Sequence, residues 1–248
     1  MGATEWAVVV SGGASGLGEA VVRDLAGRGA RAAVLDRDAT RGARVAEETG
    51  AALVEADVTD EESVGRALVA ARDAMGGLTA CVCCAGIAPA ERTVGRQGPH
   101  SLDTFRRTLD VNLLGSFAVA SRAAALMADG DGEERGTIVL TASVAAFEGQ
   151  KGQAAYAASK GGVAALVLPM ARDLASLGVR VVGIAPGVFR TPMLEGLGSE
   201  VMDGLAADVV FPRRLGEPSE FAHAVRYALE ARYLNGTVIR LDGGLRMP

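Results

Sequence analysis

The sequence predicts an α/β chain built as a doubly wound, seven-stranded parallel sheet with helices on both faces. Three observations predict it. Seven short apolar runs alternate with six longer amphipathic stretches along the whole chain. The runs are apolar almost residue by residue, as in strands covered on both sides. The turn after the first run is rich in glycine and leads directly into a helical pattern.

Taken in order, Trp6–Val10 (WAVVV) is the first expected strand, and Gly16–Arg28 behind it has the spacing of a helix. Arg31–Leu35 (RAAVL) with Ala39–Thr49, and Ala51–Glu55 (AALVE) with Glu61–Met75, repeat that unit twice. Ala80–Cys84 (ACVCC) leads to the long helical stretch Leu102–Met127. Thr137–Thr141 (TIVLT) precedes the helical stretch Ala154–Leu177; Arg180–Ile184 (RVVGI), Ser219–Ala231 and Val238–Leu241 (VIRL) close the pattern. No linker or low-complexity tract divides residues 1–248, and 248 residues suffice for one large core, so a single domain is expected. The stretch from about 190 to 214 stands apart, with Pro192, Pro212, three glycines and apolar Met193, Leu194, Leu197, Met202 and Leu205. It reads either as a mobile lid or as a surface excursion, and its length favours the lid.

Composition removes several classes of function. A formal charge of −5 without a polybasic block gives a nucleic-acid backbone no electrostatic support. No uninterrupted apolar run reaches the ~18 residues of a membrane span, and the first apolar run is followed by glycines rather than a cleavage site, so a cytoplasmic protein with no membrane partner is expected. Cys81, Cys83 and Cys84 crowd one strand-like run, and His100 and His223 lie far from them; neither a disulfide framework nor a metal site is expected. Only Lys151 and Lys160 are lysine among 25 basic residues, so a lysine that remains marks a place where lysine chemistry is needed.

The turn Ser11-Gly12-Gly13-Ala14-Ser15-Gly16-Leu17-Gly18 lies between a strand and a helix. There glycines let the backbone approach a pyrophosphate that the helix N-terminus holds. Asp36 ends the second strand 18 residues after Gly18, where a carboxylate accepts both ribose hydroxyls of NAD and repels the 2′-phosphate of NADP. NAD is therefore expected, with Arg37 as the one basic neighbour that counters Asp36. Tyr156 and Lys160 stand four apart on a helix and so share a face. A phenol of pKa about 10 acts as a base near neutrality when a cation stabilises its phenolate; Lys160 supplies one, and so would an oxidised nicotinamide ring. Ser143, beyond the fifth strand, is placed to hydrogen-bond a substrate oxygen.

The glycine turn, Asp57-Val58, Ala85-Gly86, Asn112, Ser143, Tyr156-x-x-x-Lys160 and Pro186-Gly187 together resemble the short-chain dehydrogenase/reductase family, in order and over the whole chain. The stretches 141–160, 184–193 and 234–248 are similar to its type II 3-hydroxyacyl-CoA dehydrogenases, also called type 10 17β-hydroxysteroid dehydrogenases. The resemblance implies a Rossmann fold, a homotetramer and an NAD-dependent interconversion of a secondary alcohol and a ketone, with (S)-3-hydroxyacyl-CoA and 3-oxoacyl-CoA as the leading pair. A steroid or alicyclic alcohol is the alternative substrate, and a non-catalytic NAD-binding sensor the alternative class. By the same resemblance Ser143 orients the substrate oxygen, Tyr156 exchanges its proton, Lys160 lowers the tyrosine pKa and holds the ribose, and Asn112 supports a proton-relaying water. Gly12, Ser15, Gly16, Leu17, Gly18, Asp36, Asp57, Val58, Ala85 and Gly86 line the cofactor path. Pro186, Gly187, Val188, Thr191 and Met193 hold its nicotinamide side, while Gln150, Gln153, Leu197, Met202 and Leu205 reach the substrate. Two departures stand out: Cys83 replaces a frequent asparagine, and the 88–101 segment is shorter than in animal members of the subgroup.

Overall fold

The computed structural model describes residues 5–96, 98–195 and 198–247. Its first half repeats strand and helix: β1 (Ala7–Ser11), α1 (Gly16–Ala26), β2 (Arg31–Asp36), α2 (Ala39–Thr49), β3 (Ala52–Glu55), α3 (Glu61–Met75) and β4 (Ala80–Cys83). A two-residue hairpin, β5 (Val94–Gly95) and β6 (Gly98–Pro99), precedes α4 (Leu102–Leu109) and α5 (Gly115–Ala128). There follow β7 (Gly136–Thr141), α6 (Ala154–Leu174), β8 (Val179–Pro186), α7 (Pro192–Glu195), α8 (Ser199–Ala207), α9 (Pro218–Glu230) and β9 (Thr237–Leu241). Seven strands pair in parallel in the order β3-β2-β1-β4-β7-β8-β9, the expected architecture, with the direction of winding reversing between β1 and β4.

Burial on both faces explains the continuous apolar strands. Val9, Cys81 and Ile138 face a layer made by α3, α5 and α6, through Leu68, Ala123 and Val163. Val8, Val10 and Val82 face α1, α2 and α9, through Val22, Leu25, Val45 and Phe221. Helix ends follow local chemistry: Asp60 accepts from the N–H groups of Glu62 and Ser63 at the start of α3, and Gly76 closes it in the left-handed region at φ 66°. Arg180 fastens the far end of the sheet to α9, donating to the carbonyls of Ala228, Leu229, Ala231 and Leu234 and to Glu134.

The structure amends the sequence reading at four places. Residues 102–128 are not one uniform α-helix, because Asp110–Leu114 form a π turn around Asn112. The stretch after Arg190 holds two short helices, α7 and α8. The 94–99 hairpin has no apolar period and so left no signal. Lastly, Leu102–Ala128 and Ala154–Leu177, broken by charged residues in the sequence, are long and apolar enough by length and composition to cross a membrane. Both lie along the sheet with their inner residues in the core.

Candidate active site

In the seven-stranded sheet, all the strands but β9 deliver their C-terminal ends to one cavity of about 530 Å³. Side chains and backbone after β1, β2, β3, β4, β7 and β8 line it, which is where an open parallel sheet presents its crevice. One end is bounded by Asp36, Arg37, Asp57 and Val58, the other by Ser143, Gln153, Tyr156 and Pro186.

The glycine turn is a cradle that side chains would fill. A Cβ on Gly12, held at φ +69°, would lie 2.6 Å from the Ala85 nitrogen, and one on Gly18 would lie 2.2 Å from the Gly12 carbonyl oxygen. Backbone thus reaches backbone across the turn, and the N-terminus of α1 is bared to the cavity. Ser15, the N-cap, spends its hydroxyl on no capping bond. Asp36 is fixed by two backbone donors, Ala14 N–H to Oδ2 at 3.1 Å and Asp38 N–H to Oδ1 at 3.0 Å, and each oxygen keeps a further lone pair. Asp57 accepts from the Thr59 N–H and hydroxyl at 2.9 and 2.7 Å, and these bonds hold its carboxyl below the usual range. Cradle, helix N-terminus and ribose-spaced carboxylate fit a dinucleotide. Three arginines, Arg37, Arg41 and Arg107, line the same end.

At the other end β7 and α6 bring the polar residues together. Ser143 caps a 3₁₀ turn, its hydroxyl accepting from Ala145 N–H at 3.1 Å and also hydrogen-bonding the Tyr156 phenol. Tyr156 and Lys160 lie one turn apart, with Nζ 5.9 Å from the ring centroid. Lys160 is buried and donates to the Thr141 carbonyl at 2.8 Å; burial pushes its ammonium down to about 8. Desolvation also pushes the Tyr156 phenol up, and the Ser143 bond opposes that only in part. A cation near the ring favours its phenolate form and so opposes that desolvation.

Asn112 is buried and fully engaged with its neighbours. Its amide nitrogen donates to the Ile87 carbonyl and to Ser159 Oγ, both at 2.9 Å, and its Oδ1 accepts from Ile87 N–H at 2.8 Å. The side chain thereby clamps the strand end after β4 to α6. The π turn presents it there, and Ser116 Oγ takes up the Asn112 carbonyl at 2.7 Å.

Of the other expected residues, Leu17, Ala85, Gly86, Gly187, Val188 and Thr191 line the cavity with the glycines. Gln153 does too, but Gln150 does not; its N–H donates to Gln153 Oε1 and orients that side chain. Met202 and Leu205 are half-buried on α8 and do not line the cavity, whereas Thr191, Pro192 and Leu194 are the described residues of the same stretch that do. Leu197 and the Met193 side chain lie outside the described residues. Cys81 and Cys83 are buried in β4, where Cys83 donates weakly to the Ser116 carbonyl at 3.7 Å. Cys84 instead reaches the cavity beside Thr141, and burial pushes its thiol up to about 12. The sequence reading did not single out Thr141, Ser159 or Met247 and took Cys84 only as a strand residue; the fold alone makes them local.

A family model described as enoyl-(acyl carrier protein) reductase matches residues 12–246. The chain is 49% identical over 246 residues to the 3-hydroxyacyl-CoA dehydrogenase type-2 of Homo sapiens, covering 96% of this chain and 94% of that one. It is 34% identical over 242 residues to the 3-oxoacyl-(acyl-carrier-protein) reductase MabA of Mycobacterium tuberculosis, covering 97% and 92%. A crystal structure of 3-hydroxyacyl-CoA dehydrogenase type-2 from Mycobacterium avium superimposes with a TM-score of 0.91 at 44% identity, over 97% of this chain and 96% of that one.

Proposed function

The chain belongs to the short-chain dehydrogenase/reductase family and is an oxidoreductase, and from that premise we propose that it interconverts (S)-3-hydroxyacyl-CoA and 3-oxoacyl-CoA with NAD as its cofactor. The observation that carries the reading is the convergence of Ser143, Tyr156 and Lys160 at one end of a cavity whose other end is a glycine cradle with Asp36. Relatives named for 3-hydroxyacyl-CoA and 3-oxoacyl substrates support the substrate class.

In this reading the α1 N-terminus with Ser15 holds the pyrophosphate, Asp36 the ribose hydroxyls, and Pro186 to Val188 with Thr191 the nicotinamide side. NAD, when bound, supplies the hydride acceptor, or the donor in reverse, together with a positive charge in its oxidised form. Ser143 donates a hydrogen bond to the substrate oxygen and fixes it against Tyr156. In oxidation Tyr156, as phenolate, takes the hydroxyl proton; in reduction the phenol returns a proton to the new alkoxide. Lys160, held by the Thr141 carbonyl, keeps a cation beneath the ring and reaches the cofactor ribose. Asn112 keeps Ile87 and its loop in place while this happens. The stretch from 190 to 214 closes over the acyl group as a lid, with Leu194 as its inner face.

Assembly as a homotetramer is part of the same proposal. Leu114, Phe117 and Leu168 leave apolar surface exposed on the α5 and α6 side, and burial between copies would remove it from water. The deciding experiment is an initial-rate screen of NADH and NADPH against acetoacetyl-CoA, with a steroid ketone panel beside it. Turnover of the thioester well above the steroids supports the reading, and the reverse order replaces it with steroid chemistry.

A further inference from the structure

One wall of the cavity comes from an unexpected part of the chain, Met247, beyond the last strand. A set of charges around Arg240 on β9 keeps it there. Arg240 donates from its two terminal nitrogens to the two oxygens of Glu148, at 2.9 and 3.0 Å, from Nε to Asp242 at 2.8 Å, and to the Leu245 carbonyl at 3.1 Å. Its guanidinium also lies 5.5 Å from the centroid of the Phe147 ring. Arg246 donates to Asp242 at 3.1 Å and stands 3.5 Å from Glu148, and the Met247 N–H donates to Glu148. Leu245 is buried, so the segment after β9 is anchored within this cluster. A forked pair of this kind fixes geometry as well as charge.

Glu148 lies in the segment between Ser143 and Tyr156, the same segment that brings Gln153 into the cavity. The strand β9 is at the opposite edge of the sheet from β2 and β3, whose ends carry Asp36 and Asp57. Met247 therefore bounds the end of the cavity away from the ribose carboxylate, on the side of the reacting groups. We infer that Met247 is the stop against which the substrate's carbon chain abuts, and that Arg240 and Glu148 are positioning residues that hold this stop and the Gln153 loop together. The inference rests on the secondary-alcohol reading only in requiring a chain beyond the reacting carbon.

The test measures kcat/KM with NADH for straight-chain 3-oxoacyl-CoA thioesters of increasing length and, in parallel, for methyl ketones of increasing length. Met247→Ala should raise the ratio of the longest to the shortest member about tenfold, the scale of a methylene or two in an apolar pocket. Arg240→Gln should shift the ratio the same way with Met247 intact, and Arg240→Lys should restore part of the parent profile. A merely structural role would lower every member by one factor, and an unchanged ratio in both variants overturns the inference. Should the parent reduce ketones but no thioester, the acyl-CoA reading falls, and the ketone series still decides the position of the stop.

Discussion

Replacing Lys160 by methionine should abolish turnover and change stability by an amount that depends on pH in a fixed direction. Lys160 is buried, and burial brings its ammonium from an ordinary 10.5 down to about 8. The unfolded chain keeps that proton up to 10.5, so between these values it binds more protons than the folded chain. The parent's stability must then rise as pH climbs from about 8 towards 10.5, because the desolvated ammonium loses its charge. The gap corresponds to ~3 kcal/mol of penalty carried by the folded parent at pH 7 and ~2 kcal/mol at pH 9. Methionine is uncharged and of similar length, but it leaves the Thr141 carbonyl without its 2.8 Å donor, a loss of about 1–3 kcal/mol. That loss is largely common to both pH values. Relative to the parent, the variant should therefore lose about 1 kcal/mol between pH 7 and pH 9. Urea unfolding of both proteins at the two pH values measures it. An equal difference at both would show that Lys160 is not desolvated, and a variant that gains on the parent as pH rises would reverse the argument.

Three further outcomes follow from other parts of the structure. Asp36→Ser should lower the NAD-to-NADP ratio of kcat/KM by at least about tenfold, ~1.4 kcal/mol, because it removes the carboxylate from a cavity that Arg37, Arg41 and Arg107 also line; an unchanged ratio would remove Asp36 from cofactor choice. The folded protein should react with a thiol reagent at neutral pH far more slowly than the urea-unfolded chain, since Cys81 and Cys83 are buried and the Cys84 thiol is pushed up to about 12; rapid labelling of one thiol in the folded state would contradict this. Arg180→Ala should destabilise by about 3–5 kcal/mol in denaturant unfolding, because it strips the α9 carbonyls of a buried cation that satisfies them, and a loss below 1 kcal/mol would show that water replaces it.

The layers and strand order were legible because period and burial agree: runs such as Ala7–Val10 are apolar on both faces and lie inside both helix layers. The glycine turn was equally legible, since approaches of 2.6 and 2.2 Å at Gly12 and Gly18 leave no alternative residue. Tyr156 and Lys160 were found by spacing, but their electrostatics were not, because desolvation depends on β7 and β4 closing over them. The apolar residues after Arg190 were less legible for a related reason. An apolar stretch says that a surface is buried, not which one, and Met202 and Leu205 sit on α8 while Leu194 on α7 lines the cavity. Met247 carried no local signal, since the contacts that hold its segment include pairs distant in sequence, such as Arg240 with Glu148, 92 positions apart. The clamp by Asn112 depends on a π turn, and no simple sequence period announces one.

Hydride delivery into a 3-oxoacyl thioester tests the central claim most directly. Acetoacetyl-CoA is incubated with NADH deuterated at C4 of the nicotinamide, and the product is read by mass spectrometry for the parent and for Tyr156→Phe. The account predicts deuterium at C3 of 3-hydroxybutyryl-CoA with the parent. It also predicts a rate lower by about 10²–10⁴ with Tyr156→Phe, whose NADH binding is retained. Unlabelled product, or a Tyr156→Phe rate close to that of the parent, would contradict the assignment of Ser143, Tyr156 and Lys160 to this chemistry.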